Sequence, residues 1–125
     1  MSDVVEATET AAKPLVDEKG RPLIDAQGNR IAWVDLDNPI KRGGQDVFEI
    51  KLRKPDTGHL RGTKFNDLYT MDINAASIVV PRISDPMIPA AEFLTMAPED
   101  TAQICGEIVG FLLTKRQKVA GGLEA

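Results

Sequence analysis

At 125 residues, with 42% hydrophobic and 27% charged side chains and a formal net charge of −4, the chain has the composition of one modest globular domain. Its mild acidity argues against a general attraction to nucleic acid or to an anionic membrane, and no run approaches the ~18 apolar residues of a membrane span. A single cysteine, Cys105, excludes an internal disulfide and fits a reducing, cytoplasmic setting, while a single histidine, His59, leaves little for metal or triad chemistry.

Residues 1–13 lack periodicity and aromatic side chains; they are too polar for a signal peptide and are expected to be disordered. Residues 14–116 are expected to form one domain, with a β part over 14–55 and a helical part over 66–116. Residues 117–125 are expected to be a flexible tail released by Gly121-Gly122.

The domain opens with a sequence said nearly twice, PLVDEKGR then PLIDAQGNR, from Pro14 to Arg30. Each unit places two apolar residues, Leu15-Val16 and Leu23-Ile24, before a polar cluster that contains glycine. Glycine supplies positive φ, and Asp and Asn bond nearby backbone, so Asp17–Gly20 and Asp25–Asn29 read as turns. Neither unit has the alternating oxygen ligands and late glutamate of a calcium loop. Two copies are too few for a solenoid. The repeat is therefore expected to be a short β-ribbon without a catalytic role.

A hairpin follows. In IAWVDLD, Ile31, Trp33 and Asp35 share one face, and Ala32, Val34 and Leu36 the other. Asn38–Gly44 reads as the connecting loop. In QDVFEIKLR, Val47, Glu49, Lys51 and Arg53 alternate with Phe48, Ile50 and Leu52, the pattern of a strand with one dry and one wet face. Pro55 ends it.

Behind the hairpin the period changes. Asp72 suits the N-cap of a helix over INAASIVV, in which Ile73, Ala76, Ser77 and Val80 follow helical spacing, and Pro81 disfavours helix at Val80. A second short helix is expected near Pro89, turning Phe93 and Leu94 inward. The last and longest runs from about Pro98 to Arg116. Pro98 suits a first helical position, Glu99 and Asp100 complement the positive end of the helix dipole, and Lys115, Arg116 and Lys118 complement the other. The fold class is thus α+β: an N-terminal β-hairpin or ribbon followed by a small C-terminal helical subdomain of about three helices.

The last helix has two apolar sides. Ile104, Cys105, Ile108, Phe111 and Leu112 form a stripe broad enough to dock on the core. A different side carries Ala102, Gly106 and Gly110 in a row, flanked by Val109 and Leu113. Each glycine costs roughly 1 kcal/mol against alanine inside a helix. A row of small residues admits the close approach of another helix. Gly106, Val109, Gly110 and Leu113, with Phe93 and Leu94, are therefore the candidate partner-binding residues.

Chemistry is scarce. Ser77, Ser84 and Cys105 come with no catalytic signature, His59 sits in the polar turn KPDTGHLRG, and no phosphate-binding loop, dinucleotide fingerprint or Cys/His cluster is present. No catalytic, cofactor-binding or metal-ligating residue is assigned. Between Lys41 and Lys64 seven basic residues outnumber three acidic ones, whereas from Phe65 to Glu107 Arg82 alone faces seven acids. Phe48 alternates away from Lys51 and Arg53, so the basic strand lacks the stacking platform that single-stranded nucleic acid needs. No nucleic-acid or membrane partner is expected.

From about Asp46 to Lys115 the chain resembles the tail assembly chaperone (tail assembly protein) family of Mu-like and other contractile-tailed phages and prophages. The resemblance rests on Leu52-Arg53-Lys54-Pro55, Leu60-Arg61-Gly62, Pro81-Arg82-Ile83, Pro98-Glu99-Asp100 and Phe111-Leu112, in that order and spacing. The repeat-bearing extension before Ile31 lies outside the expected family core. The resemblance implies a protein without enzymatic activity or cofactor, made in the cytoplasm of the bacterial host and absent from the mature virion. Its implied partner is the tape measure protein, a very long helical chain held until tail tube subunits take over. The tail tube protein and a second copy of the chain itself are further candidate partners. The alternative is a virion structural or adaptor subunit of the tail, stacking its basic hairpin on its acidic helical half.

Overall fold

The structure, a computed structural model, describes residues 16–114, 116 and 117. The expectations for residues 1–13 and 118–125, and for Pro14, Leu15 and Lys115, lie outside the described residues. The fold divides at Ile31/Ala32 into two compact units.

The first unit contains the repeat, which is a repeat of hydrogen bonds as well as of letters. The Asp17 carboxylate accepts the N–H groups of Lys19 and Arg21, at 2.9 and 2.8 Å. Asp25 does the same for Gln27 and Asn29, also at 2.9 and 2.8 Å. Each turn is closed by one pair of backbone bonds, between Asp17 and Arg21 and between Gly20 and Asp17, then between the matching residues 25, 29 and 28. Gly20 and Gly28 supply the positive φ, at 80° and 86°. Isolated bridges, Val16 with Pro22 and Ile24 with Arg30, flank the two turns. The two expected turns are present, while the expected β-ribbon is reduced to these isolated bridges.

The second unit is α+β. Strands β1 (Ile31–Arg42), β2 (Gln45–Arg53) and β3 (Ser84–Asp85) form one sheet in that order. The hairpin loop is shorter than the expected Asn38–Gly44, because β1 continues to Arg42 and leaves only Gly43 and Gly44 in the turn. Both have positive φ, 52° and 86°, the combination that joins two antiparallel strands with their natural twist. Pro39 is accommodated because β1 is an edge strand. In β2, Ile50 and Leu52 are fully buried while Glu49 and Arg53 are exposed, as alternation predicts. Phe48 departs from its face-mates. It lies towards the hairpin tip and is 59% exposed, with Val47 packed against the core instead.

A 3-10 turn (Thr57–Leu60) and helices α1 (Phe65–Tyr69), α2 (Ile73–Ile83), α3 (Ala90–Phe93) and α4 (Pro98–Leu112) complete the unit. His59 is half-buried in the 3-10 turn, where its Nδ1 accepts the Asp56 N–H at 2.9 Å; this local cap replaces the expected exposed turn histidine. Asp72 caps α2 as expected, accepting the Ala75 N–H at 2.9 Å. The buried stripe of α2 is Ala75, Ala76, Val79, Val80 and Ile83, and Ile73 is exposed. Pro81 does not end this helix. One backbone bond is forfeited, but Val80 and Ile83 are both fully buried, and that packing carries the helix two residues past the proline. Its end at Pro81-Arg82-Ile83 agrees with the family resemblance. The chain then adds β3 to the sheet, pairing Ser84 with Leu52 and Asp85 with Lys51.

The core gathers Val34, Leu36, Ile50 and Leu52 from the hairpin, Val79, Val80 and Ile83 from α2, Phe93 from α3, and Ile104, Ile108 and Phe111 from α4. α4 stops four residues before the expected Arg116. Leu113 is extended, at φ −78° and ψ 138°. The following Thr114 and Gln117 bond reciprocally, each side chain accepting the other's backbone N–H at 2.9 and 3.1 Å. This T-x-x-Q capping box opens a new turn and closes off the old helix. The dipole role expected of Arg116 therefore falls away.

Candidate functional site

The rotation of α4 about its own axis decides which of its sides is left for a partner. One side is fixed by Asp100, a buried carboxylate in the first turn. Its two oxygens accept the backbone N–H groups of Asp37 and Asn38, at 2.7 and 3.0 Å. Successive amides of a regular strand point to opposite edges, so at this point β1 breaks its alternation and turns two donors towards the helix. Asn38 adds side-chain bonds to Glu99 at 2.9 Å and to Asp100 at 3.3 Å. One turn further on, the Gln103 amide donates to the Asp35 carbonyl at 3.3 Å. A second side of α4 meets α1, where the Tyr69 hydroxyl lies 3.5 Å from the Leu112 carbonyl.

Between these two fixings, Ile104, Cys105, Ile108 and Phe111 are buried and Leu112 packs against the core, as the apolar stripe predicts. Ala102 and Gly106 are exposed on the outer side, and Val109, Gly110 and Leu113 are half-buried there. A Cβ added at Gly106 or Gly110 would meet no atom within 4 Å, so among the described residues nothing of this chain occupies the space above the row.

The candidate residues separate into groups. Gly106, Val109 and Gly110 come together on α4. Leu113 adjoins them, although the end of the helix, and not helical spacing, sets its position. Leu94 is 55% exposed at the end of α3, contrary to its expected inward direction. Phe93 is 1% exposed and belongs to the core, so it offers no surface to a partner. A four-residue helix has one inward direction, and Phe93, the larger side chain, takes it.

Two features escaped sequence reasoning. The first is the long-range role of Asp100, which as a letter in Pro-Glu-Asp signals only a helix start. The second is an exposed aromatic pair: Phe65 and Tyr69 stack with ring centroids 6.3 Å apart, and are 55% and 41% exposed. Their i, i+4 spacing in FNDLY was the available signal. A further groove is lined by Arg42, Met87, Pro89, Ala91 and Glu92. Arg42 and Glu92 in its lining form an ion pair, whose hydrogen bond holds the guanidinium proton even more firmly than usual.

Burial, and secondarily the charge of Asp72, pushes the Cys105 thiol up, away from the thiolate a nucleophile requires. Among the described residues there is no group of three or more His, Cys, Asp or Glu side chains that could hold a metal ion. No described helix is long and apolar enough to cross a membrane.

Residues 33–113 match a family model described as phage tail assembly chaperone proteins, E, or 41 or 14. Tail assembly protein E of Escherichia phage P2 is 35% identical over 84 residues, which cover 67% of this chain and 92% of that protein. Tail assembly protein E′ of the same phage is 34% identical over 87 residues, 70% of this chain and 61% of that longer relative. No solved structure matches. The matched region begins two residues beyond the boundary at Ile31, so the repeat lies outside it.

Proposed function

Because this chain belongs to the phage tail assembly chaperone family, and so serves tail assembly, we propose that it does so by holding the tape measure protein until the tube is built around it. The activity is non-enzymatic, exercised in the host cell, and the protein does not remain in the finished particle.

One observation carries this reading: the open outer side of α4. A tape measure protein offers long amphipathic helices, and a helix lying over Gly106 and Gly110 can bring its backbone close while its apolar side chains reach Val109 and Leu113. Leu94, exposed at the end of α3, is a further candidate contact. Seating a helix there would remove the half-exposed apolar groups from water at roughly 25 cal/mol per Å².

Co-expression with the tape measure protein of the same phage tests the proposal. Gly106→Leu with Gly110→Leu fills the row with side chains that point into open space, so the fold should survive while the client loses its seat and precipitates. A folded double variant that keeps the client soluble as well as the parent would refute the assignment. Mass spectrometry of purified particles addresses the timing: stoichiometric copies in the virion would point instead to a structural or adaptor subunit.

A further inference from the structure

We propose that the 3-10 turn and the residues around it form a second contact surface, which takes an acidic segment of a partner protein and seats one of its apolar side chains in a pocket among the charges. The inference is independent of what lies over α4.

The bases between residues 41 and 82 fall into two sets. Lys41, Arg42 and Lys51, on the hairpin, are each paired with an acid: Asp46 at 3.6 Å, Glu92, and Asp85 at 3.5 Å. Arg53, Lys54, Arg61, Lys64 and Arg82 are all exposed, and among the described residues none of them forms an ion pair. The fold draws this second set together. The Arg82 guanidinium reaches from the end of α2 to the carbonyls of His59 and Arg61, at 2.9 and 2.8 Å. The Arg82 carbonyl in turn accepts the Arg53 guanidinium at 3.0 Å. In the sequence Arg82 stands alone among acids; folding takes it away from them and adds it to four other cations. Its partners are neutral carbonyls, so these bonds position the guanidiniums without cancelling their charge. Asp56 is the one acid between residues 50 and 66, and Asp67 follows in α1. Five unpaired bases therefore leave a positive excess here, on a chain whose formal net charge is −4. Like charges gathered in this way repel one another, and an anionic partner relieves the repulsion.

A pocket opens within the cluster and narrows the choice of partner. Thr57, Leu60, Arg61, Thr63 and Phe65 line a hollow of about 210 Å³, room for one large side chain. Phe65, an apolar part of that lining, is 55% exposed. An apolar hollow among cations complements a leucine or phenylalanine carried between carboxylates. Nucleic acid fits less well. Base stacking needs an open aromatic face, and Phe65 already stacks on Tyr69. A duplex, with one charge per ~1.7 Å, is also opposed by the acids of the rest of the chain.

The test uses the full chain and three synthetic peptides: glutamates flanking a leucine, the same glutamates flanking a serine, and lysines flanking the leucine. By fluorescence anisotropy at low salt, the glutamate-leucine peptide should bind at least about tenfold more tightly than either of the others, and high salt should erase most of its binding. Arg61→Glu should weaken that peptide about tenfold in a protein that melts as the parent does. Lys41→Glu, an equal change of net charge at an exposed position on the hairpin, should leave it unchanged. Equal binding of the glutamate and lysine peptides, or binding of neither, overturns the inference. Equal binding of the leucine and serine peptides overturns the role of the pocket. Equal losses from Arg61→Glu and Lys41→Glu would reduce the effect to net charge and overturn the assigned surface. Tighter binding of a single-stranded oligothymidine with the same number of charges would assign the cluster to nucleic acid instead. The peptide comparisons need only the parent protein, and the fate of the tape measure protein bears on none of these outcomes.

Discussion

Asp100 and Asn38 lie 62 residues apart, and the carboxylate of the first accepts the backbone N–H of the second at 3.0 Å. The other oxygen takes the Asp37 N–H at 2.7 Å, so one buried acid fastens the first turn of α4 to the free edge of the sheet. It also sets which side of α4 faces outward. Asp100→Ala leaves two strand donors without their acceptor, a loss of about 1–3 kcal/mol. Asp100→Asn keeps an acceptor oxygen and should cost less. In urea titrations the alanine variant should show a lower midpoint at unchanged slope. A midpoint equal to the parent's would mean that the clamp does not hold the helix.

Arg82 fastens the 3-10 turn to the end of α2. Its Nη1 donates to the carbonyls of His59 and Arg61, at 2.9 and 2.8 Å, and Arg53 donates to its own carbonyl at 3.0 Å. Arg82→Ala should accelerate amide exchange over residues 57–63 and lower global stability by about 1 kcal/mol, because the charged donor is exposed to solvent. Arg82→Lys should recover part of this, since both bonds come from the single Nη1 and an ammonium also carries several N–H donors, on a shorter side chain. Unchanged exchange in that loop would contradict the assignment.

The leading repeat carries a pH prediction. Desolvation raises the Asp17 carboxyl, but the N–H and guanidinium of Arg21 and the N–H of Lys19 outweigh it, and the group titrates below the ordinary aspartate range. A depressed native value means that the first turn is favoured above the ordinary carboxylate value of about 3.9. That preference is lost as pH falls below it, through the native value. Amide chemical shifts of Lys19 and Arg21 should follow this titration, and Asp17→Asn should abolish it. Titration of the native turn at or above the ordinary value would contradict the bonding seen.

What the letters disclosed and what they withheld follows the range of the interactions. The Asp72 cap, the Pro98 start of α4, the alternation around Ile50 and Leu52 and the two aspartate turns are local, and each was legible. β3 was not, because Ser84 and Asp85 are strand only through their pairing with Leu52 and Lys51. α1 escaped because five residues are too short for a helical period to register. The proline rule at Val80 yielded to the burial of Ile83. The true end of α4 was written in Thr114-x-x-Gln117 and was missed because lysine and arginine there read as dipole partners. Of the candidate surface, the small-residue row was legible from its spacing. Phe93 was misplaced because a helix of four residues carries too few positions to declare its inner face.

Position Val109 offers the shortest route to the proposed client. A photo-crosslinking amino acid placed there, beside Gly106 and Gly110 and short of full burial, should form an adduct with the tape measure protein when the two are produced together. The same group at Lys41, an exposed residue of the hairpin, should form none. Adducts from Lys41 and none from Val109, with both variants folded, would show that the outer side of α4 is not where the client rests.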